Sequence, residues 1–265
     1  MDQNDLKLKE KNLFDRWDQK HKLDDDLAAV DAAGNKGFSY DGAGNEYAIQ
    51  HQKILFINKQ TNSDGNDSID IRDIMNTKKN DEYTNLGKAG FLFWKTVSAY
   101  ASILFSVENE VTKSTEEILE RAMEVGQKDW SFQLRKCSMI NFCKFPGKRV
   151  SDVKFLSSYA ERYYELISEQ IYLYQPNIIV FGGTWNLLEN LFIKTSLNTS
   201  GDCHSLFSAR LRAYQKSTEF CAIEAYHPAA WTAKDVKDLR CARLASLCNL
   251  LPEINSCLNR ILKNE

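Results

Sequence analysis

Short apolar runs alternate with longer amphipathic segments along this chain, and that alternation predicts an α/β fold. Lys53–Asn58 (KILFIN), rich in β-branched and aromatic residues, reads as a first strand. Three more strands are expected over about Lys136–Asn141, Asn177–Phe181 (NIIVF) and about Phe220–Tyr226 (FCAIEAY). Helices are expected over Phe91–Phe105, 114–129, Ser151–Tyr174, after Gly182-Gly183 through Phe192, over Lys234–Leu250, and from Pro252 onward. Ser114 with Glu117 three places on carries a capping-box signature, and Gln175-Pro176 marks a helix stop. Four strands separated by helical segments imply parallel strands with right-handed crossovers. The expected architecture is a three-layer α/β/α sandwich around a four-stranded parallel central sheet. Residues 1–50 read as an N-terminal helical and loop extension packed on a core domain of residues 51–265.

Each expected strand ends in a polar or glycine motif. These are Asn58-Lys59-Gln60-Thr61-Asn62, Asn141-Phe142-Cys143-Lys144, Gly182-Gly183-Thr184 and His227-Pro228-Ala229-Ala230-Trp231. In a parallel sheet all four gather at the carboxyl edge, where open α/β sheets bind ligands.

Composition narrows the class. At 265 residues the chain can bury a substantial core, and its 43% hydrophobic content is ordinary for a globular protein. No run of 18 apolar residues occurs, so no membrane partner is expected. The opening MDQNDLKLKEKN is polar and acidic, unlike a secretory signal. Seven irregularly spaced cysteines imply reduced thiols and a cytoplasmic location. No CxxC pair is present and Cys203-His204 alone is too little for a metal, so no metal or cofactor is expected.

The net charge of −2 hides an asymmetry: residues 1–130 carry 17 basic and 24 acidic side chains, residues 131–265 carry 17 and 12. Arg135, Lys136, Lys144, Lys148, Arg149 and Lys154 cluster in sequence around Asn141. A positive face there would neutralise phosphates, and a merely solvated surface is the alternative.

The motifs carry specific chemistry. The Asn141 carboxamide offers both donor and acceptor to a nucleobase edge, or caps a turn. His227 can donate to an oxygen that gains negative charge as a base leaves, or satisfy a loop carbonyl. Gln60 and Asn62 can orient a water or hold a sugar, or serve a turn. Lys59 can reach a phosphate, or stand on the surface. Gly182 and Gly183 permit close backbone approach, or simply start a helix. Trp231 can wedge into a base stack and Trp94 can stack on a base, or both can pack in the interior.

With the motifs in this order, the chain resembles the uracil-DNA glycosylase superfamily over about residues 50–250. Asn141-x-x-Lys144 looks like its base-reading strand. His227-Pro228 matches the start of its HPS motif, with Trp231 at the place of the leucine wedge in HPSPL. Gly87-Lys88-Ala89-Gly90 is similar to a GRAG stretch. ILFINKQTN, NFCKFPG and IIVFGGT look like a bacterial glycosylase-like group that usually has a carboxylate where Gln60 stands. Asn58 replaces the glycine that opens the family's first motif. Asn62 replaces the tyrosine that excludes five-substituted pyrimidines in the GQDPYH form.

The resemblance implies a monofunctional DNA glycosylase without lyase activity, acting as a monomer on a C5-modified pyrimidine. Hypermodified cytosine in phage DNA fits a pocket opened by Asn62. In that reading Asn141 reads the base, His227 stabilises the leaving anion and Gln60 places water, while Lys59 and Lys144 hold phosphates. A non-catalytic reader of modified or single-stranded DNA and a nucleotide or nucleoside hydrolase are the alternatives.

Overall fold

A computed structural model describes residues 1–24, 37–61, 68–77, 87–107, 113–145, 152–200, 204–214, 219–225 and 236–263. The chain begins with helix α1 (Gln3–Lys22), capped by the Asp2 carboxylate, which accepts from Asn4 N and Asp5 N. Lys20, His21 and Lys22 sit at its negative end, where the helix dipole favours cations. Its buried stripe of Leu6, Glu10, Leu13, Phe14, Trp17 and His21 follows helical spacing, with one carboxylate among the apolar residues.

Two short strands follow, β1 (Ser39–Tyr40) and β2 (Gly42–Ala43), and then β3 (Ile54–Asn58). After β4 (Ile69–Asp70) come helices α2 (Ile71–Asn76), α3 (Gly87–Phe105), α4 (Thr115–Lys128) and α5 (Trp130–Leu134). The Ser114–Glu117 pair forms the expected capping box on α4. Strand β5 (Ser138–Asn141) leads to α6 (Val153–Arg162) and α7 (Tyr164–Tyr174), then β6 (Ile178–Gly182) and the single turn α8 (Trp185–Leu188). Strands β7 (Phe192–Ser200), β8 (His204–Leu211) and β9 (Phe220–Ala225) precede α9 (Val236–Asn249) and α10 (Leu251–Lys263).

Three sequence expectations are corrected here. The sheet has seven strands and is mixed, in the order β2-β5-β3-β6-β9-β8-β7, rather than four-stranded and parallel. The four expected strands do lie side by side and parallel at its centre. Strand β2 adds antiparallel at one edge and the β7–β8 hairpin at the other. The helix expected through Phe192 stops at Leu188, and a 3-10 turn leads into β7. The long helix expected over Ser151–Tyr174 breaks at Tyr163, whose backbone (φ −107°, ψ 12°) leaves the helical region.

Strand alternation explains the two cores. One face of the sheet presents Ile54, Phe56, Met139, Ile178, Val180, Cys221 and Ile223 to residues of α3, α4, α5, α9 and α10. The other presents Leu55, Ile57, Ile140, Ile179 and Phe181 to α1, α6, α7 and α8. Helix α1 contributes to the second core, with Leu6 and Trp17 fully buried.

Buried histidines make the fold sensitive to acid. His21 meets the Tyr159 hydroxyl at 2.9 Å, and His204 lies 3.1 Å from Ser246 Oγ. Burial pulls these imidazoles down to about 3 and about 4 respectively. Both are neutral when folded, while the unfolded chain takes up protons near its ordinary value of about 6.5. Stability is therefore expected to fall as pH drops below about 6.5, by at most about 1.4 kcal/mol per pH unit and ring, until each folded value is passed. Chemical denaturation at about pH 7 and about pH 5 measures this. The double variant His21→Gln/His204→Gln should show a smaller difference between the two conditions.

Candidate functional site

The parallel strands place the site. Chain order runs β3, β5, β6, β9, whereas spatial order is β5-β3-β6-β9. The chain therefore reverses direction across the sheet between β3 and β6. The crevice beyond the carboxyl ends of those two strands is the topological switch point, the usual ligand position of open α/β sheets.

Four residues form one layer at that edge. Asn58 and Asn141 are register partners at the ends of β3 and β5. Gly182 stands beside them on β6, one place past the Ile57–Phe181 pair, and is itself paired with Ala225 on β9. Alternation puts all four on the face that carries Phe56, Met139, Val180 and Ile223. The two carboxamides therefore adjoin Gly182 and Ala225, which add almost no side chain to the layer, and all four residues are buried. Asn58 is 2% exposed and its Nδ2 is buried without a hydrogen-bond partner.

Close backbone contacts fix the strand ends. Gly183 takes a left-handed conformation (φ 66°), which lets its N–H donate to Ala225 O at 2.7 Å and bind β6 to β9. Thr184 Oγ1 donates to Ile57 O at 3.0 Å, and Phe142 N and Cys143 N donate to Asn58 O and Lys59 O. Lys59 and Gln60, half-buried, follow Asn58 directly at the rim of the crevice.

Lys144 is not at that rim, which corrects its expected phosphate role. Its side chain is fully buried against the opposite face, with Nζ lying 4.7 Å from the Trp17 ring centroid. Nζ donates to both Asp41 carboxylate oxygens at 2.7 Å, to Asn141 O at 2.8 Å and to Gln170 Oε1 at 2.8 Å. Asp41 also accepts from Asn141 N at 2.7 Å and from Gln170 Nε2 at 2.8 Å. Burial pushes the Asp41 carboxyl up and the Lys144 ammonium down; their mutual attraction and these hydrogen bonds oppose both shifts. The pair thus clamps both main-chain polar groups of Asn141 from behind.

A second buried carboxylate extends the clamp. Glu10 accepts from Ala43 N at 2.8 Å and pairs with Arg72, which also holds Asp70. Gly42 is required between them: it has φ +142°, and a Cβ there would stand 2.4 Å from Glu10 Oε1. Asp41, Gln170 and Glu10 carried no motif. The one available signal was Glu10 on the apolar stripe of α1.

Trp94 is also corrected. It is buried and stacks on Trp130 with ring centroids 5.9 Å apart, so it builds the core under the sheet and not a base platform. The expected positive face is dispersed as well. Arg135 pairs with Glu46 at 3.2 Å, and Lys136 sits 4.0 Å over the Phe132 ring. Both lie at the amino end of β5, where Lys136, Arg121, Gln52 and Phe105 line a cleft of about 520 Å³ that contains none of the strand-end motifs. Asn62, His227, Trp231, Lys148 and Arg149 lie outside the described residues. Among the described residues, no three His, Cys, Asp or Glu side chains are grouped to hold a metal ion.

The structure therefore brings together Asn141, Lys59, Gln60, Gly182 and Gly183, with Asn58, which the sequence placed in the first strand-end motif without giving it a role. No helix among the described residues is long and apolar enough to cross a membrane. No protein-family model, curated protein or solved structure matches this chain.

Proposed function

We propose that the chain is a monofunctional DNA glycosylase that removes a C5-modified pyrimidine, with hypermodified cytosine in phage DNA as its target. The observation that carries this reading is the in-register pair of Asn58 and Asn141 beside the Gly182–Ala225 floor, at the switch point of the sheet. A flipped pyrimidine would lie over that floor with its polar edge on the carboxamides.

The chemistry follows from the strand ends. The bond between the base nitrogen and sugar C1′ breaks with its electron pair leaving on the base. His227 donates a hydrogen bond to the base oxygen that gathers this charge. Gln60 orients the water that adds to C1′, and that water's proton neutralises the departed base. An amide cannot take the proton itself, so the base must leave ahead of the attack. Lys59 remains as a phosphate contact of the expected pair. Trp231, directly after the Ala229-Ala230 pair, would fill the space of the flipped nucleotide. The protein would act as a cytoplasmic monomer.

The test is mass spectrometry of small molecules released from phage DNA with and without modified cytosine. Release of a modified base, with alkali-labile sites left in the DNA, supports the reading. Equal release of uracil from plain uracil DNA counts against the substrate class. Protection of DNA with no released base indicates a reader, the role that Gln60 in place of a carboxylate would favour.

A further inference from the structure

Among the described residues that end the parallel strands, Asn58 carries a buried side-chain donor whose state the fold leaves unexplained. It ends a fully buried strand and is 2% exposed, yet its Nδ2 has no acceptor. A buried donor without a partner destabilises a protein, and an apolar residue of similar shape would remove that cost. Asn58 does not hold its own chain in place through this group: the backbone contact to β5 is made by its carbonyl, which accepts from Phe142 N at 3.1 Å. Its neighbour in register is Asn141. Adjacent parallel strands stand roughly 4.8 Å apart, so the two carboxamides can serve neighbouring atoms of one six-membered ring.

We propose that Asn58 is a second base-recognition residue, whose Nδ2 donates to the 2-carbonyl oxygen of the bound pyrimidine. This rests on reading the edge as a base pocket. Asn141 then serves the ring nitrogen and the exocyclic group beyond it, bidentately. Asn58 stands between Asn141 and the end of β9, where the chain continues to His227. That position faces the part of the ring next to the glycosidic nitrogen. The 2-carbonyl is common to every DNA pyrimidine whatever its C4 or C5 substituent, so Asn58 recognises the class and leaves the modification to the rest of the pocket. A donor at that oxygen also stabilises charge arriving there as the base leaves.

The experiment compares wild type with Asn58→Leu, using free cytosine and 4-aminopyrimidine, which is cytosine without its 2-carbonyl. Calorimetric titration of wild type is expected to show cytosine binding about tenfold more tightly. Asn58→Leu should bind the two compounds equally. Its melting temperature should rise by about 2–4 °C, because a buried unpaired amide has been replaced by an apolar side chain. A retained cytosine preference in the variant, a fall in melting temperature, or no binding of either compound by wild type would overturn the assignment. Base release from modified DNA, run in parallel, separates the two ideas. Release that is equal in wild type and variant removes the role of Asn58 and leaves the glycosylase. Lost discrimination without any release by wild type leaves a pyrimidine site and removes the glycosylase.

Discussion

Lys144→Met is expected to cost the fold about 3–5 kcal/mol, the loss typical when one partner of a buried ion pair is removed. Asp41 would keep its hydrogen bonds from Asn141 N and Gln170 Nε2 but would face no cation, at a site with no solvent access. Methionine fills most of the lysine stem's volume, so the loss reports charge and not a cavity. Urea denaturation checks the figure through the transition midpoint. The companion variant Asp41→Asn/Lys144→Met should recover much of it, because a neutral pair no longer leaves a charge stranded. A phosphate-binding lysine would behave oppositely. Its removal would leave the urea midpoint in place and reduce the salt dependence of DNA binding by about one counterion. The two roles separate in a single pair of measurements. The same variant should also loosen the end of β5, since Lys144 holds Asn141 O and Asp41 holds Asn141 N.

His227→Ala is expected to slow base release about 10²–10³-fold under single-turnover conditions, the usual effect of losing one donor to developing negative charge. Affinity for intact modified DNA should change far less, because the donor acts chiefly after the glycosidic bond begins to break. Strand β9 stands three places from β5, a separation of about 14 Å across the parallel sheet. Quantifying alkali-labile sites against time, at saturating protein, gives the rate directly. If wild type forms no such sites, and His227→Ala protects DNA as well as wild type does, the chain is a reader and not a hydrolase.

The parallel strands were legible because KILFIN, NIIVF and their companions are dense in apolar residues, as strands buried on both faces must be. The capping box of α4 was legible for a local reason, since all its atoms lie within four residues. The β7–β8 hairpin was not. Lys194, Thr195, Ser196 and Asn198 give its first strand a polar sequence, and edge pairing to β8 supplies the hydrogen bonds that local pattern does not announce. Asn141 and Lys144 lay three residues apart and read as one motif. The chain leaves the sheet at Asn141, so the carboxamide belongs to one face and the ammonium to the other.

The sequence by itself determined the central parallel strands, the ends at which polar groups collect and the residues available there. Tertiary structure alone decided which of those groups are taken up by long-range pairing. Lys144 was claimed by Asp41, a residue 103 positions earlier, because a buried ammonium must find a carboxylate. Trp94 was claimed by Trp130 in the core. Asn58 became a candidate by the reverse route, as a strand-end amide whose buried Nδ2 has no partner. Local pattern records which side chains a strand end carries, whereas solvation and long-range pairing decide which of them stay available for chemistry.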